Sequence, residues 1–202
     1  AGIVDCSLGL DTLYIKETDH PGGANPHLFS SPSMAAQMVC TMGDQLARFD
    51  PSHAASYTAN AQKTADRLKK LAGECTQTAS RLRVHSVLVQ HNIFDYLARD
   101  LGLEIQACIQ PHEGQEPSAR DLLQLVQLIR KKQIAAVLVE PQYPARAGQT
   151  LAEETGIPCL SLDPVANGPE NAAFDYYENT MRANFDITPE YLKNWLAAFA
   201  KF

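Results

Sequence analysis

From Ser31 onward, apolar side chains recur at helical spacing: Ala35, Met38, Met42, Leu46 and Phe49. Ser31 is suited to cap this run and Pro32 to its first helical position. Asp50-Pro51 repeats the start signal, and a second stripe through Tyr57, Ala61, Thr64, Leu68 and Leu71 predicts a helix of about seven turns. It should end at Gly73 or a little beyond. So long a helix with so narrow a stripe suits a strut between two bodies.

After residue 82 the pattern changes. VHSVLV (84–89), LEIQACI (103–109), AAVLVE (135–140) and PCLSL (158–162) are continuous rather than alternating in hydrophobicity, as expected of strands covered on both faces. Between them lie three helical runs, IFDYLARDLG, SARDLLQLVQLIRKKQ and ARAGQTLAEETG. The middle one opens with Ser118 and Asp121 in capping-box spacing and carries Leu122, Leu125, Val126 and Ile129 on one face. Strand-helix alternation implies an α/β fold: a four-stranded, mainly parallel sheet flanked by helices and preceded by a long connecting helix. A last amphipathic helix with Leu192, Trp195, Leu196 and Phe199 is expected to return onto the body. At the front, residues 1–15 hold a short strand-like piece and a turn, and DHPGGAN (19–25) reads as an exposed loop.

Composition narrows the class. In 202 residues, 45% are apolar and 20% charged, as in an ordinary globular protein with a sizeable core. A net charge of -6 offers no basic surface for nucleic acid, and Arg130-Lys131-Lys132 falls where it complements a helix dipole. No window reaches the apolar length of a membrane span, and the start at Ala1, without methionine or signal sequence, reads as a processed or engineered terminus. Cysteines 6, 40, 75, 108 and 159 contain no CxxC pair; most should be buried thiols, and a bridge between two of them stays open.

Ligands of an open parallel sheet bind beyond the carboxyl ends of its strands. The first strand runs into His91, the third into Glu140 and the fourth into Asp163, and His27 can reach that edge from the head of the helices. Imidazole plus carboxylate suits zinc and tolerates manganese or iron. Each residue also has a plainer role: His27 as a bond within a proline-rich turn, His91 as a cap, Asp163-Pro164 as a turn, Glu140-Pro141 as a structural hinge. His20, His53, His85 and His112 are read as structural or solvated. Signatures for dinucleotides, phosphates, serine hydrolysis and zinc peptidases are missing, and Cys108 reads as a small core residue.

Four segments, taken in order, resemble one family: the zinc- and manganese-binding solute receptors of bacterial ABC transporters. NPHLFSSPSMAAQMV resembles the family's histidine segment, usually DPHxWLDP; QHNIFDYLARDLGLE resembles HxAFxYLxxxYGL; EGQEPSARDLLQLVQLI resembles EPSxxxLxxLxxxI; and VEPQYPARAGQTLAEETGIPCLSLDP resembles the EPQ-to-LDP segment. The resemblance implies that His27, His91 and Asp163 are metal ligands, with Glu140 and Asn25 supporting them from behind. It favours Zn2+ as the ion and leaves Mn2+ as the alternative, because the position of His91 tends to be histidine in zinc receptors and glutamate in manganese ones. It further implies metal capture at the periplasm or the outer face of the cytoplasmic membrane, a permease subunit as partner, and no catalysed reaction or nucleic acid.

Two departures stand out. Asn25, Phe29 and Ser30-Ser31 replace the usual aspartate, tryptophan and leucine-aspartate, which implies weaker support for His27. Family members also carry an N-terminal lobe with a further histidine ligand, and this chain is expected to begin near that lobe's end. The divisions that follow are 1–30 as its remnant and loop, 31–82 as helices including the linking helix, and 83–202 as the C-terminal α/β lobe. Two rivals remain: a degenerate, adhesin-like interaction domain that binds no metal, and a zinc hydrolase with Glu140 as base.

Overall fold

The computed structural model describes residues 2–15, 23–80, 85–110 and 115–185. The Ser31 hydroxyl accepts the Met34 N–H and starts α1 (Pro32–Phe49), with Pro32 in the first turn, where a missing N–H forfeits nothing. Asp50 ends α1, Pro51–His53 make one 3-10 turn, and α2 (Ala54–Ala79) follows. The two helices fold back on each other. Gly43 in α1 meets Ala61 in α2 so closely that a Cβ on the glycine would stand 2.4 Å from the alanine Cβ. α2 continues beyond Gly73, which lies within the helix with nothing inside 4 Å of where its Cβ would be. Ala65, Leu68, Leu71, Cys75 and Ala79 are buried in the main core, so this part of α2 lies on the sheet rather than standing free as a strut. Burial pushes the Cys75 thiol up to about 11, which keeps it a protonated, apolar filler.

Strands β1 (Ser86–Val89), β2 (Glu104–Cys108), β3 (Ala136–Val139) and β4 (Cys159–Ser161) form one sheet in the order β2-β1-β3-β4, every pair parallel. Helices α3 (Asp95–Leu101), α4 (Ala119–Lys132) and α5 (Arg146–Thr155) connect them. Val87, Val89, Ala136, Leu138 and Leu160 pack with residues of α1, α2 and α3, while Leu88, Val137 and Val139 pack with those of α4 and α5. Both faces are covered. That burial is the reason the strands read as unbroken apolar runs. The capping box of α4 forms as expected, and its bonds from the Ser118 hydroxyl and backbone hold the Asp121 carboxyl below its ordinary value. At the end of α3 Gly102 takes the left-handed conformation that a Cβ would disfavour.

Several local expectations change. Residues 6–9 form turns, and the segment before α1 makes one isolated bridge, Tyr14 to Ala24, instead of a strand. Asn25, read from sequence as part of an exposed loop, is fully buried. Among the cysteines only Cys75 is buried, the others being partly accessible. A helix α6 (Tyr176–Phe185) had no counterpart in the sequence reading, since it buries only Glu178 and Met181. Glu178 pairs with Arg67 of α2, and Arg182 bonds Glu74 at 2.9 Å. The helix expected around Leu192, Trp195, Leu196 and Phe199 lies outside the described residues.

Two glycines in these helices make opposite predictions. Gly73→Ala gains helix propensity in open space and should stabilise by about 0.5–1 kcal/mol. Gly43→Ala gains the same propensity but drives α1 from α2, where overpacking costs about 1–3 kcal/mol, so it should destabilise on balance. Urea unfolding of the two variants reads both signs.

Candidate metal centre

β1 and β3 are the central strands, and the chain leaves them in opposite directions across the sheet, so a crevice opens between their carboxyl ends. Gln90, just past β1, is buried and ties this edge together. Its Oε1 accepts the Glu140 N–H at 3.0 Å, and its Nε2 donates to Gln110 Oε1 and to the Pro144 carbonyl, each at 3.1 Å. The Gln90 carbonyl receives the Gln110 N–H and the Cys108 thiol. Glu140 is thereby set beside His91, two residues past the end of β1. Its Oε1 accepts from His91 Nδ1 at 2.5 Å, which commits that nitrogen as the protonated one and leaves the lone pair on Nε2. His91 Nε2 is buried and has no hydrogen-bond partner among the described residues. An orphaned buried lone pair is uncommon in a folded protein, and a cation is one group that satisfies it. The Tyr143 ring meets the imidazole edge-on, centroids 4.8 Å apart, and holds its plane.

His27 is fixed by the same logic with an amide in place of the carboxylate. Asn25 Nδ2 donates to the Asn92 carbonyl and to Asp95 Oδ2, both at 2.9 Å, so its Oδ1 must be the acceptor for the His27 N–H and for His27 Nδ1 at 2.8 Å. The lone pair of His27 is accordingly also on Nε2. Tyr96 completes the cradle by donating its hydroxyl hydrogen to the Asn25 carbonyl while accepting the Leu13 N–H. A neutral amide accepts less strongly than the aspartate that the resemblance leads one to expect. It does, however, donate to Asp95, which an aspartate could not.

Asp163 follows β4. Asn184 of α6 grips its backbone from both sides, accepting the Asp163 N–H at 2.9 Å and donating to its carbonyl at 2.7 Å. Gln142 Nε2 and the Val165 N–H both reach its Oδ1 at 2.8 Å. Val165 itself stands at a φ of 58°, an unusual conformation for a β-branched residue.

The structure thus links the residues singled out from sequence in pairs: His27 with Asn25, His91 with Glu140. Asn25 also connects the two histidine segments, because it bonds the carbonyl of Asn92, next to His91. The turn from Glu140 to Tyr143 connects His91 to Gln142 and so to Asp163. Among the described residues, no three His, Cys, Asp or Glu side chains stand together as a ready-made metal cage. Gln90, Gln142, Tyr143 and Asn184 escaped the sequence reading. The EPQ run was the one available signal for Gln142. His53 is exposed and bonded to Asp50, His85 is exposed at the head of β1, and His20 and His112 lie outside the described residues.

The family profile described as periplasmic zinc-uptake complex component A, ZnuA, matches residues 1–188. Zinc-binding protein AdcA of Streptococcus pyogenes serotype M6 is 29% identical over 174 residues, 85% of this chain and 34% of its own length. Iron-binding protein YfeA of Yersinia pestis is 28% identical over 150 residues, 73% of this chain and 48% of its own. The solved structure of SBP FpvC from Pseudomonas aeruginosa in complex with Mn2+ superimposes with a TM-score of 0.80 at 26% identity, over 91% of this chain and 67% of that one. This chain therefore spans about a third of the length of the first of these relatives.

The buried amide at position 25 makes a direct prediction. Asn25→Asp removes the donor to Asp95 and Asn92 and sets two carboxylates against each other where the amide now makes a 2.9 Å bond, so stability should fall by about 2 kcal/mol or more. The urea midpoint at neutral pH measures it.

Proposed function

The chain belongs to the periplasmic zinc-uptake complex component A family, and from that premise we propose that it captures a divalent metal, zinc in first place and manganese in second, for delivery to an ABC transporter permease. The observation that supports the reading most is His91: Nδ1 held by a buried carboxylate, Nε2 buried and unpartnered among the described residues. Carboxylate-imidazole pairing of this kind orients a metal-ligating histidine and raises its basicity. We assign His27 and Asp163 as its companions. His27 has its Nε2 lone pair defined by Asn25, and Asp163 is pinned at backbone and side chain. Two imidazoles and one carboxylate supply three donors to a tetrahedral ion, and water or a side chain outside these residues takes the fourth position.

In this reading the ion itself draws the His27 segment and the strand ends together. Because each donor is already oriented within its own hydrogen-bonded cradle, little ordering remains to oppose closure. No bond of the cargo is made or broken, and the family is a transport family rather than an enzyme family. The place of action is outside the cytoplasmic membrane, in the periplasm or on the membrane's outer face. Among the described residues no helix is long and apolar enough to cross a membrane. The degenerate, metal-free alternative is favoured by one observation, the absence of a preassembled three-residue cage.

Calorimetric titration of the metal-free chain with Zn2+ separates the two. Capture predicts one site per chain, lost in His91→Ala and His27→Ala and weakened about 10- to 100-fold in Glu140→Gln, which keeps the shape but not the charge behind His91. Absence of heat with the unaltered chain, or binding indifferent to His91→Ala, overturns the assignment.

A further inference from the structure

We propose that Gln142 decides how Asp163 meets the ion: by occupying one carboxylate oxygen it holds Asp163 to a single ligating oxygen and so favours zinc over manganese. The inference deepens the capture reading above and rests on it.

A carboxylate can present one oxygen or both. Zinc works with about four ligands, one atom from each, whereas harder divalent ions take more oxygens, and a carboxylate that offers both helps to reach that number. In Asp163 the choice is made by the surroundings before any ion arrives. Oδ1 accepts from Gln142 Nε2 and from the Val165 N–H, both at 2.8 Å, while Oδ2 accepts from no described residue. Swinging Oδ1 onto an ion would break both bonds. Rotation of the whole residue is blocked as well, because Asn184 grips its N–H and its carbonyl together.

One feature marks this arrangement as maintained at the expense of stability. The other end of the Gln142 amide, Oε1, is buried and has no partner among the described residues. Buried carbonyl oxygens almost always find a donor. Turning the amide over would not help, since its carbonyl would then face the Asp163 carboxylate. Gln142 therefore leaves one polar atom unsatisfied in order to place its donor on Asp163, as expected of a positioning residue rather than of one retained for the fold.

Gln142→Met removes the donor and the orphaned oxygen together at similar volume. Melting of the metal-free chain and calorimetric titration with Zn2+ alone and with Mn2+ alone are the measurements. The expected result is an unchanged or higher melting temperature without metal, with Zn2+ affinity lowered about 10-fold or more and Mn2+ affinity lowered less or raised, so that the zinc-to-manganese ratio falls about 10-fold. Gln142→Ala reads the same ratio should the methionine variant not fold. A purely structural role for Gln142 predicts a lower melting temperature and equal weakening of both ions; an unchanged ratio overturns the proposal. If the unaltered chain binds neither ion, the capture reading fails first and this inference falls with it.

Discussion

A parallel sheet covered on both faces can end only where its last backbone groups find new partners, and in this protein the buried amide of Gln90 supplies them. With β1 and β3 at the centre and water excluded on either side by two apolar clusters, the strand ends cannot be left to solvent. Gln90 binds the ends of β1, β2 and β3 through one side chain, and in doing so it fixes the backbone of Glu140. Glu140 then fixes His91. The orientation of the imidazole is thus inherited from the need to terminate the sheet.

The two histidines share a device built from different chemistry. In each, Nδ1 is held by an oxygen whose acceptor role is dictated by its own surroundings: a carboxylate for His91, an amide with both N–H groups already committed for His27. Both therefore present Nε2, the more distant nitrogen, to whatever lies beyond. The carboxylate adds charge to its hydrogen bond, while the amide adds direction alone. The hydrogen bond behind His91 is accordingly the stronger of the two, a difference that follows from a carboxylate at position 140 and an amide at position 25.

Much of the fold was legible because its signals are local. The four apolar runs became the four strands, shortened only at their ends, and the Ser31 cap and the Ser118–Asp121 capping box formed as their spacing implied. The strand-end rule brought Glu140 to His91 without any knowledge of the tertiary structure. What stayed hidden was polar and buried. Gln90 and Asn25, and the half-buried Gln142, look in sequence like surface or loop residues, since a polar side chain gives no sign of burial until its partners are known, and those partners lie 20 to 70 residues away. α6 was obscure for the same reason: the face it turns inward carries a glutamate, which reads as exposed until Arg67 appears opposite.

That polar helix also explains how distant segments come to act together. Tyr177 donates its hydroxyl hydrogen to the Phe29 carbonyl at 2.8 Å, two residues from His27, and burial raises its phenol well above the ordinary value, so the donor persists throughout the neutral range. One and a half to two turns further along, Asn184 holds Asp163. Glu178 and Arg182 between them bond to α2 through Arg67 and Glu74, anchoring the helix to the element that carries the sheet's apolar face. His27 and Asp163, separated by more than half of the sequence, are thereby referred to one rigid body. Docking α6 thus orders both segments at once, so that neither is an independent loop.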